Sequence, residues 1–409
     1  TVVGSESDGT LSLALGDVDG DGDLDLIAGD EDDENNKNKL YLNDGSGVFA
    51  ATGMDLGNDA DDSRAALLAD VDGDGDLDLI VGNYLQTNKL YLNDGHGDFA
   101  TSGTAVGDGT DFTNSVVLGD VDGDGDLDLI AGNDGQNKLY LNDGSGGFVT
   151  TGTDVGNEED STYSVVLGDV DNDGDLDLIA GNFVATKKLY LNDGSGVFAG
   201  TGMDVGETTD LTYSVVLGDV DGDGDLDLVA GNNDPNKLYL NDGSGGFAGT
   251  GTAVGNEDDF TRSIVLGDVD NDGDLDLIAG NYAETNKLYR TFNYLSTGTI
   301  VSDTVNIGEV IGSAIFDATA SVNTATTRNT RIDYFLSNNG GNTWFLVRPG
   351  TEFQFPSAGN DLRWRAELSS LSPRLSPRLS QVSLQLGIDE TLANLELSAG
   401  TLNPSFSSQ

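Results

Sequence analysis

Nine residues recur six times in this chain as Asp-Val-Asp-(Gly/Asn)-Asp-Gly-Asp-Leu-Asp, so that every odd position carries a carboxylate. The acidic positions are Asp17, Asp19, Asp21, Asp23 and Asp25; Asp70, Asp72, Asp74, Asp76 and Asp78; Asp120, Asp122, Asp124, Asp126 and Asp128; Asp169, Asp171, Asp173, Asp175 and Asp177; Asp219, Asp221, Asp223, Asp225 and Asp227; and Asp268, Asp270, Asp272, Asp274 and Asp276. Oxygen ligands at positions 1, 3, 5 and 9, a backbone carbonyl at 7 and a glycine at 6 for the tight turn can wrap a hard cation of seven-fold coordination. Calcium suits this pattern better than magnesium, which holds to octahedral geometry and keeps its waters. A helix-flanked calcium loop would need Glu at position 12, where these copies have Ala or Val. Six copies therefore imply about six calcium ions.

The elements around the loops must be strands. In the third copy, Ser115 to Leu118 leads into the loop, Leu127 to Gly132 leaves it, Lys138 to Leu141 follows, and Phe148 to Val155 comes after the turn at Asn142-Asp-Gly. Apolar residues alternate at period two, and Asn-Asp-Gly marks a turn, which gives four short strands per repeat and no helix. Successive loops start 53, 50, 49, 50 and 49 residues apart, the length of a four-stranded propeller blade. The repeats also alternate. After the Gly-Asn that ends the second strand, copies two, four and six carry Tyr84, Phe183 and Tyr282, whereas copies one, three and five carry Glu31, Asp134 and Asn233. Three copies of a two-blade unit predict an all-β fold with a six-bladed β-propeller, seven blades being the alternative. Phe292 to Ile300 is the expected outer strand of the last blade.

The string Leu-Gly-Asp-Val-Asp-Gly-Asp-Gly-Asp-Leu-Asp-Leu from Leu118 to Leu129 resembles the FG-GAP or VCBS repeats of bacterial surface and secreted proteins, relatives of the integrin alpha-subunit propeller. The resemblance spans residues 1–292. It implies a calcium loop between the two innermost strands of each blade, and integrin-type propellers commonly close with seven blades. The propeller is assigned to residues 1–298, a β-sandwich to 299–388, and a tail or linker to 389–409. Within the sandwich, Ser337 to Trp344 resembles the Asp-box hairpin of sialidases, with Asn339 at the Asp position, a structural turn. The run Leu392 to Phe406 resembles the opening strand of bacterial cadherin-like domains. A strand without the rest of its domain suggests a fragment of a longer protein, or a donor strand that completes a sheet in another copy and builds a filament.

Composition narrows the function. The chain has 72 acidic and 18 basic residues for a net charge of −54, which disfavours nucleic acid and anionic membrane as partners. With no cysteine there is neither a disulfide framework nor a thiol nucleophile. The chain opens at Thr1 rather than Met, as a processed terminus would, and no apolar run reaches spanning length, so no membrane insertion is expected. The single histidine, His96, replaces Ser or Gly in an Asn-Asp-Gly turn, and no catalytic constellation is apparent. In a blade of this topology the Asp loops share one face with the Asn-Asp-Gly turns. The opposite face collects Tyr84, Phe183 and Tyr282, with Phe112, Tyr163, Tyr213 and Phe260, as a candidate ligand face. The expected role is a non-enzymatic, calcium-stabilised extracellular module of a bacterial surface or biofilm-matrix protein. It would serve structure or adhesion, with calcium, other copies of itself, or surface glycans and proteins as partners. The alternative is a carbohydrate- or protein-recognition propeller attached to a larger secreted enzyme.

Overall fold

The computed structural model describes residues 3–4, 9–30, 37–59, 61–206, 210–255, 258–270, 274–290, 296–302, 310–321, 330–370, 378–388 and 391–397. Asp272, Glu31 and residues 398–409 lie outside them. Among the described residues all regular structure is strand. Five four-stranded sheets follow one another over residues 10–55, 63–106, 113–154, 161–205 and 212–254, and a three-stranded sheet covers 261–289. Each is an antiparallel meander in chain order, as short strands joined by tight turns must be. The third sheet is representative: Thr113–Gly119, Asp128–Asn133, Lys138–Tyr140 and Thr153–Asp154. The Asp loop joins its first two strands, pairing Gly119 with Asp128. This is the blade organisation of a β-propeller.

Consecutive sheets meet through one repeated apolar junction. Between the third and fourth, Val121, Ile130, Leu139 and Val155 pack on Val165, Leu178, Ala180 and Tyr190. Between the fourth and fifth the same places hold Val170, Ile179, Leu189 and Val205 against Val215, Leu228, Ala230 and Tyr239. A fully buried side chain of this size contributes about 1.5–3 kcal/mol, so each sheet is held chiefly by the face it shares with its neighbour. Close approach explains the glycine of the second strand: a β-carbon at Gly132 would lie 2.7 Å from Val165 Cγ1.

The first strands carry a further device. Register shifts leave one unpaired residue at the same place in five sheets, between Thr10 and Ser12, Ser63 and Ala65, Thr113 and Ser115, Thr162 and Ser164, and Thr212 and Ser214. The extra residues are Leu11, Arg64, Asn114, Tyr163 and Tyr213. A bulge of this kind re-aims a side chain.

Two of the expected boundaries change. Of the predicted outer strand from Phe292 to Ile300, residues 292–295 lie outside the described residues, and Ser296–Val301 pairs with Arg363–Ser370 rather than with the sixth sheet. By compactness the chain divides into one unit holding Thr1–Val220, Gly224–Leu266 and Leu277–Tyr289, and another holding Arg290–Gln409 with two loop segments, Asp221–Asp223 and Gly267–Asp276. Beyond Arg290, two four-stranded sheets share one core of Ile311, Phe316, Leu336, Val347, Trp364, Val382 and Leu384, among others. Two sheets on one core are compatible with the sandwich expected from the alternation of these residues with polar ones. The second change concerns the tail. Thr391–Leu397 is not a spare strand, because it pairs along its length with Arg378–Ile388 of the same chain, from Ile388 opposite Thr391 to Val382 opposite Leu397. The backbone groups on that side are used within its own chain, and the strand stands at the edge of its sheet.

The Asp-box-like hairpin forms as a turn. Ser337 Oγ accepts the Gly341 N–H at 2.9 Å, and Asn339 Oδ1 accepts the Thr343 N–H at 3.0 Å.

Candidate functional site

Each Asp loop is wound onto its own carboxylates. In the third, Asp120 accepts the N–H of Gly123 at 2.8 Å and of Gly125 at 3.0 Å, Asp122 accepts that of Asp124 at 3.3 Å, and Asp124 accepts that of Asp126 at 3.0 Å. Such a coil needs left-handed backbone at positions 4 and 6. Gly123 and Gly125 take φ of 77° and 98°, and Asn172, which stands at position 4 of the fourth loop, takes 62°. Glycine meets no steric penalty there and Asn tolerates it, which accounts for the Gly/Asn choice at one position and the invariable Gly at the other.

The winding brings positions 1, 3 and 9 together. Asp17, Asp19 and Asp25 have carboxylate oxygens within 4.8 Å of one another, as do Asp70, Asp72 and Asp78; Asp120, Asp122 and Asp128; Asp169, Asp171 and Asp177; and Asp219, Asp221 and Asp227. The position-5 residues Asp21, Asp74, Asp124, Asp173 and Asp223 are not in these triads. Position 7 was expected to give its carbonyl. Its side chain in Asp76, Asp126, Asp175 and Asp225 lies against the glycine of the same sheet's Asn-Asp-Gly turn, at Gly95, Gly144, Gly194 and Gly243.

The position-9 residue is the buried one. Asp128 is 0 % exposed, and its two oxygens accept the N–H of Val121 at 3.2 Å and of Asn142 at 2.9 Å. Asn142 then donates its Nδ2 to Leu127 O at 3.1 Å and to Val71 O, in the loop of the preceding sheet, at 2.9 Å. The same relay runs through Asn93 to Val18, Asn192 to Val121 and Asn241 to Val170. Every loop so tied is fastened to its own turn and to the next sheet's turn. The asparagine of that turn, readable from sequence only as a turn former, is a cross-junction clamp.

A divalent cation fits this donor set. Burial pushes Asp128 and Asp177 up to about 6, with the neighbouring Asp122 and Asp124, or Asp171 and Asp173, adding repulsion and the backbone donors opposing it. Asp72, Asp122 and Asp171 are also raised, chiefly by burial. Carboxylates that hold protons for want of a counter-charge are what a bound cation relieves. Asp169 Oδ1 is buried with no hydrogen-bond donor, the kind of orphan that an ion satisfies. The sixth loop keeps the bond from the Val269 N–H to Asp276 at 3.1 Å, but Arg290 stands 3.4 Å from Asp270. Where earlier repeats have Leu after the third-strand Tyr, this one has Arg, and its guanidinium competes for a candidate ligand.

The aromatic residues also assemble. Tyr84 meets Phe112 at 5.1 Å between ring centroids. A longer run links Phe183 to Tyr163 at 5.1 Å, Tyr163 to Tyr213 at 5.4 Å, Tyr213 to Phe260 at 5.0 Å and Phe260 to Tyr282 at 5.6 Å. The rings therefore stack on one another across neighbouring sheets and still show faces to solvent, Tyr282 most of all at 61 %. Two arginines missed from sequence complete this rim. Arg64 lies 3.7 Å over Tyr84, and Arg262 lies 4.2 Å from Tyr213, 4.5 Å from Phe260 and 5.6 Å from Tyr282. The first-strand bulge that turns Arg64, Tyr163 and Tyr213 outward was the missing signal, since strict alternation hides it. After Tyr84, Phe183 and Tyr282 the chain passes through Leu85, Val184 and Ala283 with φ of 68°, 64° and 59°, a costly state for a β-branched residue. At Leu85 it lets the N–H reach Asp111 O of the next sheet at 3.0 Å.

No curated protein matches the chain. Among solved structures, an Agrocybe aegerita lectin described as recognising non-reducing terminal N-acetylglucosamine shares 22 % identity over 65 % of this chain and 73 % of its own, at a TM-score of 0.49. The BP39L lectin of Burkholderia pseudomallei shares 11 % identity over 73 % of this chain and 90 % of its own, at 0.48. BBS1N, solved in complex with ARL6DN, shares 14 % identity over 70 % and 80 %, at 0.46. The FG-GAP-like repeat model matches residues 17–81, 70–131, 120–180, 181–230 and 219–279, and the FG-GAP repeat model matches 260–300. Most of these matches run from one Asp loop into the second strand of the following sheet, the stretch that builds a junction, and together they cover residues 17–279. The chain belongs to the FG-GAP-like repeat family, as a β-propeller of such repeats.

Proposed function

We propose that this chain is a calcium-stabilised, non-enzymatic binding module that works outside a bacterial cell as a structural or adhesive part of a surface or matrix protein. The observation that carries the reading is the carboxylate triad of positions 1, 3 and 9, formed at least five times by Asp17, Asp19 and Asp25 and their counterparts. Calcium would be held by these side chains, and when bound it supplies the positive charge that lets three acids sit together. The chain's own residues do the rest. Position 9 fixes the backbone of position 2 and of the Asn-Asp-Gly turn, and the turn's asparagine fastens the adjoining sheet, so the state of each loop bears on the rigidity of a junction. Millimolar calcium outside cells matches loops of this kind, since extracellular modules bind in the range of about 10⁻⁴–10⁻³ M. The charge of −54 is lowered to about −42 by six divalent ions (−54 + 12).

The rim of Tyr84, Phe112, Phe183, Tyr163, Tyr213, Phe260 and Tyr282 with Arg64 and Arg262 is the proposed contact surface. Flat, half-exposed rings beside guanidinium donors suit sugar rings, which favours a glycan over an acidic protein as the partner. A polysaccharide and glycan array probed in calcium tests this. Binding that drops at least tenfold in Tyr282→Ala, with an unchanged melting curve, supports the rim; binding indifferent to Tyr282 and Phe112 places recognition elsewhere.

A further inference from the structure

The two arginines of the aromatic rim are differently employed. Arg64 lies over Tyr84 with its guanidinium already taken, since Nε stands 3.5 Å from Asp62 and Nη1 donates to Asn114 at 3.3 Å. Arg262 has its rings and nothing else. Its guanidinium carbon lies 4.2 Å from the ring of Tyr213, in the fifth sheet, and 4.5 Å from that of Phe260, and among the described residues it pairs with no carboxylate and donates to no acceptor. The cause lies within the repeat. Two residues before Arg64 the chain has Asp62, and two residues before Arg262 it has Phe260, so a ring stands where the counter-ion would be. The chain has 72 acidic residues for 18 basic ones, yet none of the described acids is drawn to this guanidinium.

A guanidinium held over aromatic rings through its π-face keeps its in-plane N–H groups for hydrogen bonds. Those groups match a carboxylate, which they bind through two parallel N–H···O bonds. From Arg262 the rings run on with no second cation: Tyr213 meets Tyr163 at 5.4 Å and Phe183 at 5.4 Å, and all three are half-exposed. One end of this platform is therefore cationic and the other apolar. On the reading of the rim as a glycan surface, on which this rests, we propose that it takes a glycan carrying a single carboxylate, with the acid group of a uronic acid residue bound to Arg262 and a neutral sugar beside it stacked on Tyr163 and Tyr213. A wholly neutral glycan leaves the Arg262 donors to water. A polyuronate brings a row of negative charges toward a chain of net charge −54, which repels them. One carboxylate on an otherwise neutral glycan avoids both costs, because at physiological salt charges farther off than about 8 Å are largely screened and the guanidinium next to it sets the local sign.

The test uses matched pairs of short oligosaccharides that differ in one terminal residue, glucuronic acid against glucose and galacturonic acid against galactose, titrated calorimetrically into the full chain in one calcium buffer. In at least one pair the acidic version should bind about tenfold to a hundredfold tighter, the worth of a charge-assisted pair of hydrogen bonds, and the ratio should shrink as salt is added. Arg262→Gln keeps the stem and removes the charge, and it should bring the two affinities together. Arg262→Lys keeps the charge without the planar fork and should retain only part of the preference. Both variants should melt with the native chain. Equal affinities within both pairs, a preference that survives Arg262→Gln, or acidic versions that fail to bind while other glycans on the array do, would overturn the proposal and leave the rim a glycan surface. No binding by any glycan would overturn that reading as well. A short acidic peptide that binds as tightly as the acidic sugars would also overturn the proposal, since the carboxylate alone would then be what Arg262 reads.

Discussion

The five aspartates of a loop have unequal work, and substitution should reveal it. Asp128 is buried and accepts two backbone N–H groups, whereas Asp124 sits on the loop surface. Asp128→Ala would leave the Val121 and Asn142 donors buried without an acceptor, each costing about 1–3 kcal/mol. Chemical denaturation should therefore show a loss of about 2–6 kcal/mol for Asp128→Ala even after calcium is stripped, and little for Asp124→Ala in the same conditions. Protonation gives a second handle. Asp128 and Asp177 are pushed up to about 6 from an ordinary 3.8. The folded chain thus binds protons that the unfolded chain has released, and in the absence of a cation stability falls as pH rises between those two values. Metal-stripped protein should melt higher at about pH 5 than at about pH 7, and the order should reverse in calcium, because protons then compete with the ion. A melting temperature independent of pH in the stripped protein would contradict this. At this scale the sequence was informative about identity and less so about role. The odd-position acids and the glycine at position 6 were readable from spacing. That positions 1, 3 and 9 converge while position 7 lies against Gly144 depends on the path of the neighbouring turn, which spacing does not encode.

Junctions between sheets, more than any single strand, carry the fold, and their glycines make this measurable. Gly132→Ala would set a β-carbon 2.7 Å from Val165 Cγ1 and 3.0 Å from Thr162 Cγ2, whereas at Gly280 the nearest atoms lie 3.6 Å and 3.8 Å away. Overpacking of this sort costs about 1–3 kcal/mol. Gly132→Ala should lower stability by that amount and Gly280→Ala should be close to neutral, as measured by urea unfolding. The fourth-to-fifth junction has its own feature. Lys187 is 0 % exposed and 3.1 Å from Asp210, which also binds Lys237 at 2.9 Å and the hydroxyl of Tyr239 at 3.2 Å. Other repeats have Asn there, as at Asn88 and Asn137, accepting a backbone N–H. Asp210→Ala strands a buried ammonium and should cost about 3–5 kcal/mol, while Lys187→Asn restores the common arrangement and should cost far less. Strand type and order were legible because period-two alternation and Asn-Asp-Gly turns are local signals. The bulge at Tyr163 and Tyr213 and the pairing of Ser296–Val301 with Arg363–Ser370 were not, since both are settled by which partner strand wins.

For the whole molecule, −54 of net charge must be reconciled with a fold whose acids are drawn into triads. A ligand that binds only the folded state adds RT ln(1 + [L]/Kd) per site, about 2.7 kcal/mol at a hundredfold excess. Several such sites rival the total stability of roughly 5–15 kcal/mol of a typical domain, so chelation should lower the melting temperature by many degrees. The propeller could be read from the repeat length of 49–53 residues, and the all-β character of the rest from alternation. The exposure of Leu13 and Ile278 could not, because such residues look the same in sequence whether or not a neighbour covers them. Calcium is central to the proposed role. Elemental analysis of purified protein, equilibrated in calcium and freed of unbound metal, should find about six calcium ions per chain, the sixth loop filling last because Arg290 faces Asp270. Fewer than about four bound ions at saturation would contradict it.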